Sequence, residues 1–319
     1  MDYVTRVNLK TASEVSRPEL INFCLRNTNK QYLAIGWSYI YNSGSNNEIS
    51  SYKDYYYKVK EGVKKINRAL NVFRDTKKDN LFWTRDLDGY YWICRAMNEA
   101  QTILDENISV QKGKALDIGA VIPVEAYKYG IDVPGAIKAS FNKPLGGITE
   151  KIYDKLIIEF SKFVFNKISG KYIYNLIQDD ELISRSKENY INNLPDFDLE
   201  ELVISYIQIE YDYYLLSNSI ANKSTTIKIE GEFYSRNLEN PSKAVVQVKG
   251  PKYNSVLSAS SFKQFIADGY FVFLYANNCE TNGLKNVIVI TKDELESFYF
   301  SYKAILPGSI TKWENIFSV

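Results

Sequence analysis

The sequence predicts a two-domain chain of mixed α/β and α+β class. A β-rich N-terminal domain with helices covers residues 1–147, a helical connector covers 148–196, and a mixed sheet flanked by helices covers 197–319. Three observations predict it. At 319 residues the chain is longer than the about 250 to 300 residues at which a single core usually stops growing. Runs that alternate β-branched or aromatic residues with polar ones occur in both halves and read as strands. Apolar residues at three- and four-residue spacing, between and after those runs, read as helices.

In the N-terminal part, Gln31 to Ser38 reads as one strand. Asn80 to Arg85 and Gly89 to Ala96 read as a hairpin through Asp86-Leu87-Asp88-Gly89, and together these strands suggest a small β-barrel. Val59, Val63, Ile66 and Leu70 are spaced like the buried side of a helix. Around it, from Lys53 to Arg85, runs a cluster of basic residues interleaved with Tyr52, Tyr55, Tyr56, Tyr57 and Trp83. Such a cluster is either a solvated helix face or a surface that meets phosphates and stacks on bases. Turn residues from Val133 to Gly147 mark the domain boundary, and Ile152 to Ile168 and a stretch through Lys187 read as the connector's helices.

The C-terminal part carries the chemistry. Ala244-Val245-Val246-Gln247-Val248-Lys249-Gly250 is a strand in which Ala244, Val246 and Val248 take one face and Val245, Gln247 and Lys249 the other. Thr225 to Tyr234 reads as a preceding strand with Glu230 and Glu232 on one face, and the Asn-, Pro- and Ser-containing stretch from Arg236 to Ser242 returns the chain as a hairpin. One or both carboxylates therefore come beside Gln247 and Lys249. Carboxylate, amide oxygen, strand carbonyl and water suit Mg²⁺ or Mn²⁺, and a lysine beside such an ion activates water and stabilises charge on a phosphate. Asp198 to Val203 opens an amphipathic helix in which Asp198 and Glu201 have capping-box spacing; Ser261 to Ile266 reads as a later helix, and Tyr270 to Tyr275 and Val287 to Ile290 as closing strands.

On these residues the segment from about Asp198 to Phe300 resembles the PD-(D/E)xK nuclease superfamily, in its restriction-endonuclease-like, Mrr-type branch where Gln replaces the second acid. The resemblance implies Gln247 as metal-site amide, Lys249 as catalytic lysine, Glu232 or Glu230 as the metal-holding acid, and Glu201 as a helix carboxylate that helps hold the metal or merely caps its helix. The family's usual Asp is absent. In the N-terminal part, Leu33 to Ser38 and Leu81 to Arg85 resemble the PUA-like barrel and, within it, the EVE/YTH-type domains, over about Gln31 to Pro144. That resemblance implies an aromatic pocket for a flipped, modified base, with Trp37, Ser38, Trp83 and Arg85 in the matching positions and Trp92 and Tyr91 as weaker candidates; the alternative for the tryptophans is core packing.

Composition narrows the rest. The absence of histidine excludes His-dependent triads, HNH nucleases, HD phosphohydrolases and His-ligated zinc, while carboxylate–metal chemistry survives. Three scattered cysteines, Cys24, Cys94 and Cys279, read as buried thiols in a reducing cytosol. No apolar run approaches the roughly 20 residues of a membrane span, and Met1 to Arg6 is no signal peptide, so the expectation is a cytoplasmic protein. A net charge of +1 confines any nucleic-acid surface to a local patch. The expectation for the whole is a Mg²⁺-dependent DNA endonuclease of restriction or phage-defence type that works as a homodimer, against two rivals: a non-catalytic reader, and an enzyme of RNA or single strands.

Overall fold

The computed structural model describes residues 2–10, 16–27, 29–42, 49–62, 68–142, 147–176, 190–217, 229–251 and 253–314. The chain divides into two compact units, Met1–Val133 with Ile137–Ile177, and Pro134–Ala136 with Gln178–Val319.

The first unit is built on one sheet. Its strands are β1 (Val4–Val7), β2 (Gln31–Ile35), β3 (Leu81–Arg85), β4 (Tyr91–Ala96), β5 (Gln101–Thr102), β6 (Ala120–Gly130) and β7 (Thr149–Ile152). They pair in the order β2-β6-β4-β3-β1-β7, with β5 alongside β6. The β3–β4 hairpin forms as the sequence predicts, with Arg85 opposite Tyr91 and Leu81 opposite Arg95. Its turn is fixed by Asp86, whose carboxylate accepts from the Tyr90 amide and the Trp92 indole, and by Gly89 at φ 84°. Among the described residues β2 and β7 do not pair, so the strand path runs open where a barrel was expected.

The helices Tyr52–Gly62 and Arg68–Arg74 bury Tyr52, Tyr55, Tyr56, Val59, Leu70 and Phe73. These join Leu33, Ile35, Phe82 and Val121 in the core. Val63 and Ile66, which sequence spacing placed on the same helix face, lie outside the described residues.

The expected boundary at residue 147 falls inside this unit. β7 pairs antiparallel with β1, Val4 opposite Ile152, and the buried Arg6 guanidinium donates to the carbonyls of Gly147 and Ile148 and pairs with Glu150 at 3.1 Å. The helix Lys155–Ser169 follows, capped by the Asp154 carboxylate on the amides of Leu156 and Ile157 and ended by Gly170 at φ 66°. It buries Ile157, Phe160, Ser161, Val164 and Phe165. The turn residues near 147 thus introduce a further strand and helix of the first unit. The second connector helix, through Lys187, falls outside the described residues.

The second unit holds a sheet in the order β14-β12-β10-β9-β8, from β8 (Tyr213–Leu215), β9 (Gly231–Ser235), β10 (Lys243–Val248), β12 (Phe271–Tyr275) and β14 (Val287–Val289); β11 (Leu257–Ser258) and β13 (Cys279–Glu280) pair separately. β8, β9 and β10 run antiparallel, while β10, β12 and β14 run parallel. A parallel neighbour needs a crossover, and between β10 and β12 the chain supplies β11, a 3₁₀ turn at Ala259–Phe262 and the helix Lys263–Ala267. The sheet is packed on both sides. Val245, Val272 and Leu274 meet Leu257 and Phe262 on one side, while Phe273 meets Tyr211, after the helix Asp196–Glu210, on the other. β10 is therefore a central strand, and its face with Val245 and Gln247 is buried. No helix among the described residues is long and apolar enough to cross a membrane.

Candidate functional site

The geometry around β10 separates the two glutamates. The Glu230 amide donates to the Val246 carbonyl at 2.8 Å, continuing a ladder in which Gly231 lies opposite Val246 and Glu232 opposite Val245. Glu230 thereby comes opposite Gln247. The Gln247 amide nitrogen donates to Glu230 Oε1 at 3.1 Å and to the Val248 carbonyl at 3.2 Å. Both side chains are 3% exposed. Glu232 sits toward the start of β10, where it accepts from the Tyr270 phenol at 3.1 Å. Burial and that bond hold Tyr270 protonated above its ordinary range. The Lys243 ammonium stands 5.2 Å from the Tyr234 ring and 5.5 Å from the Tyr270 ring, which makes this end of the strand a separate polar cluster.

Lys249 follows Gln247 by two residues. Its amide donates to the Tyr275 carbonyl at 2.8 Å, so it leaves the sheet where the parallel strands β10 and β12 end. The carboxyl ends of parallel strands are the usual place for ligands in open sheets. The half-buried Lys249 side chain places its ammonium 5.4 Å from the Tyr253 ring and is in no ion pair among the described residues.

The helix carboxylates differ from expectation. Pro195 stands at the cap position of the helix Asp196–Glu210 and contributes no side-chain cap. Asp198 lies inside the helix, 1% exposed, and accepts from the Gly135 amide at 2.9 Å and the Trp313 indole at 3.1 Å. Its carboxylate is engaged by those buried donors, so the expected capping box is replaced. Glu201 is exposed, and no group of three acidic or sulfur residues able to hold a metal forms among the described residues. Glu201, Glu230 and Glu232 therefore do not converge. Sequence reading missed Asp196. Its Oδ2 accepts from the Tyr253 phenol at 3.4 Å, and its Oδ1 is buried without a hydrogen-bond partner. No local sequence signal marks it; in the structure a Cβ at Gly250, directly after Lys249, would lie 2.5 Å from Asp196 Oδ1.

The donors at Gln247 are a carboxylate, an amide and a main-chain carbonyl, the hard set that Mg²⁺ or Mn²⁺ takes. The amide nitrogen, donating to Glu230 Oε1 and the Val248 carbonyl, marks a point where two oxygens converge. In donor chemistry the residues fit such an ion.

In the first unit, Trp37 has φ 63°, a left-handed conformation costly for a bulky residue. Its neighbours hold it there. The Ser38 amide and hydroxyl both donate to Asp117 Oδ1, at 3.3 and 3.0 Å, and the Tyr55 phenol donates to the Gly36 carbonyl at 2.6 Å. Ser38 is buried and Trp37 half-buried. Arg85 lies with its guanidinium 5.5 Å from the Tyr91 ring.

Trp83 is 0% exposed, donates from its indole to Ser161 at 2.8 Å, and packs on Phe160 and Tyr129, which leaves it no surface to offer a base. Trp92 and Tyr91 are also buried. Of the basic-aromatic cluster, Tyr52, Tyr55 and Tyr56 are core, whereas Lys53, Tyr57, Lys60, Arg68 and Arg74 are exposed. Cys24 and Cys94 are buried free thiols whose pKa burial pushes up, and Cys279 is half-buried.

No protein-family model matches the chain. No curated protein matches it either. Among solved structures it is similar to the MspJI restriction endonuclease in complex with a 27-mer oligonucleotide, at 13% identity and a TM-score of 0.27 over 80% of this chain and 70% of that one. It is also similar to the DNA modification-dependent restriction endonuclease AspBHI, at 10% identity and a TM-score of 0.27 over 75% of this chain and 68% of that one. At these scores neither likeness fixes the fold, which stands on strand order and register.

Proposed function

We propose that this chain is a Mg²⁺- or Mn²⁺-dependent DNA endonuclease of the restriction and phage-defence type, acting in the cytoplasm. The observation that carries the reading is the Gln247 amide held between Glu230 Oε1 and the Val248 carbonyl at the end of a central strand, with Lys249 two residues on. Glu230, the Val248 carbonyl and, with its amide turned over so that oxygen replaces nitrogen, Gln247 would hold the cation, which would supply charge to a phosphate oxygen and acidity to a bound water. Glu232, committed to Tyr270, takes the outer position. Lys249 orients the attacking water and neutralises charge that develops on the phosphate, and the buried surroundings of Glu230 and Gln247 strengthen every such interaction.

For the first unit we propose a PUA/EVE-like role in selecting DNA, with a modified base recognised at Trp37, Ser38 and Arg85. The strained, clamped Trp37 supports this, because strain of that kind persists only where the surroundings over-determine it and is concentrated at ligand sites. Cutting both strands of a duplex takes two such sites, hence a homodimer.

A second reading, a reader without catalysis, is favoured by the one carboxylate, that of Glu230, bonded to Gln247 among the described residues. Incubation with plasmids carrying modified or unmodified cytosine, with Mg²⁺ or with EDTA, separates the two. The nuclease reading expects Mg²⁺-dependent cutting that favours the modified plasmid. Binding without cutting in Mg²⁺ and in Mn²⁺ supports the reader, and equal cutting of both plasmids removes base selection while keeping the chemistry.

A further inference from the structure

We propose that Tyr253 is the positioning residue of Lys249, its ring holding the ammonium at the strand end while Asp196 holds the ring. The inference rests on the reading of Lys249 as the lysine of the nuclease site. A lysine on four rotatable bonds reaches many places, and near the surface nothing but a specific contact selects one. Here the ammonium lies 5.4 Å from the Tyr253 ring, within the about 6 Å over which a ring face attracts a cation.

Tyr253 is 47% exposed, so burial of its ring in a core does not account for its place. The Tyr253 amide donates to the Gly250 carbonyl at 3.0 Å. Its phenol then reaches Asp196 Oδ2 at 3.4 Å. The Asp196 charge raises the phenol's pKa, so it stays a donor through neutral pH and above. Gly250 completes the arrangement, since any Cβ there would meet the buried Asp196 Oδ1 at 2.5 Å.

The test compares full-length wild type with Tyr253→Leu and Tyr253→Phe by two readouts. Trace labelling with acetic anhydride, read by mass spectrometry against the exposed Lys10, reports how freely the Lys249 amine reacts. Mg²⁺-dependent plasmid cleavage reports kcat and KM. In Tyr253→Leu, Lys249 should label about two- to fivefold faster, the range set by an exposed cation–π contact. Its kcat falls by a similar factor at unchanged KM, and Tyr253→Phe, which keeps the ring but loses its bond to Asp196, shifts both readouts in the same direction by less than Tyr253→Leu does. Labelling of Tyr253→Leu at the wild-type rate overturns the proposal, as does a change confined to KM, which would make Tyr253 a DNA contact. Faster labelling with no cleavage by any of the proteins supports the positioning of Lys249 and overturns the nuclease reading instead.

Discussion

Glu230 and Glu232 share one face of one sheet, yet their surroundings give them different chemistry. Glu230 is 3% exposed and bonded to an amide at the end of β10, whereas Glu232 is half-buried and bonded to a phenol near its start. Glu230→Gln should therefore lower Mg²⁺-dependent cleavage by about a hundredfold or more, as expected for losing a metal-holding carboxylate. Glu232→Gln should stay within about tenfold of wild type, because an exposed or half-buried hydrogen bond to a carboxylate is worth about 1.5 kcal/mol. Cleavage rates of the two variants at saturating Mg²⁺ check this, and the reverse order would place the acid at Glu232. Strand alternation was enough to put both glutamates and Gln247 on a common face. The pairing register, which puts Val245 and not Gln247 opposite Glu232, cannot be read from alternation. Asp196 was illegible for a different reason: its approach to Gly250 joins residues far apart in the chain.

At the scale of elements, the tryptophans show what an aromatic strand conceals. Trp83 and Trp37 both follow from strand-like runs, but the helix Lys155–Ser169 covers Trp83 while Trp37 sits in the clamped loop after β2. Nothing local marks the difference, since an aromatic side chain fits a core and a ligand cage equally well. Ser161→Ala should destabilise the protein by about 1–3 kcal/mol, because it leaves the buried Trp83 indole N–H unpaired. Trp83→Ala should cost about 3–5 kcal/mol. Denaturant unfolding measures both, and a Trp83→Ala protein of wild-type stability would return that residue to the pocket. The central strand illustrates the same limit. Alternation shows that Gln247 and Lys249 share a face, but only the crossover to β12 makes β10 central and buries Gln247.

Over the whole molecule the chain forms two compact units, and the boundary expected near residue 147 falls inside the first of them. Gly and Pro mark turns within a domain as readily as between domains, and the pairing of β7 with β1 decides in favour of the first unit. The proposed function makes base selection and hydrolysis separable by mutation. Trp37→Ala should reduce the preference for modified over unmodified duplex by about tenfold in a binding assay, the scale of one base–aromatic stack. An unchanged preference would remove Trp37 from recognition. Plasmid cleavage in Mg²⁺ with wild type and Lys249→Ala side by side decides whether the end of β10 is a metal-dependent phosphodiester site. Wild type should give nicked and linear products, none with EDTA, and the variant should lose about a hundredfold or more in rate. A Lys249→Ala protein that cuts at the wild-type rate would contradict it.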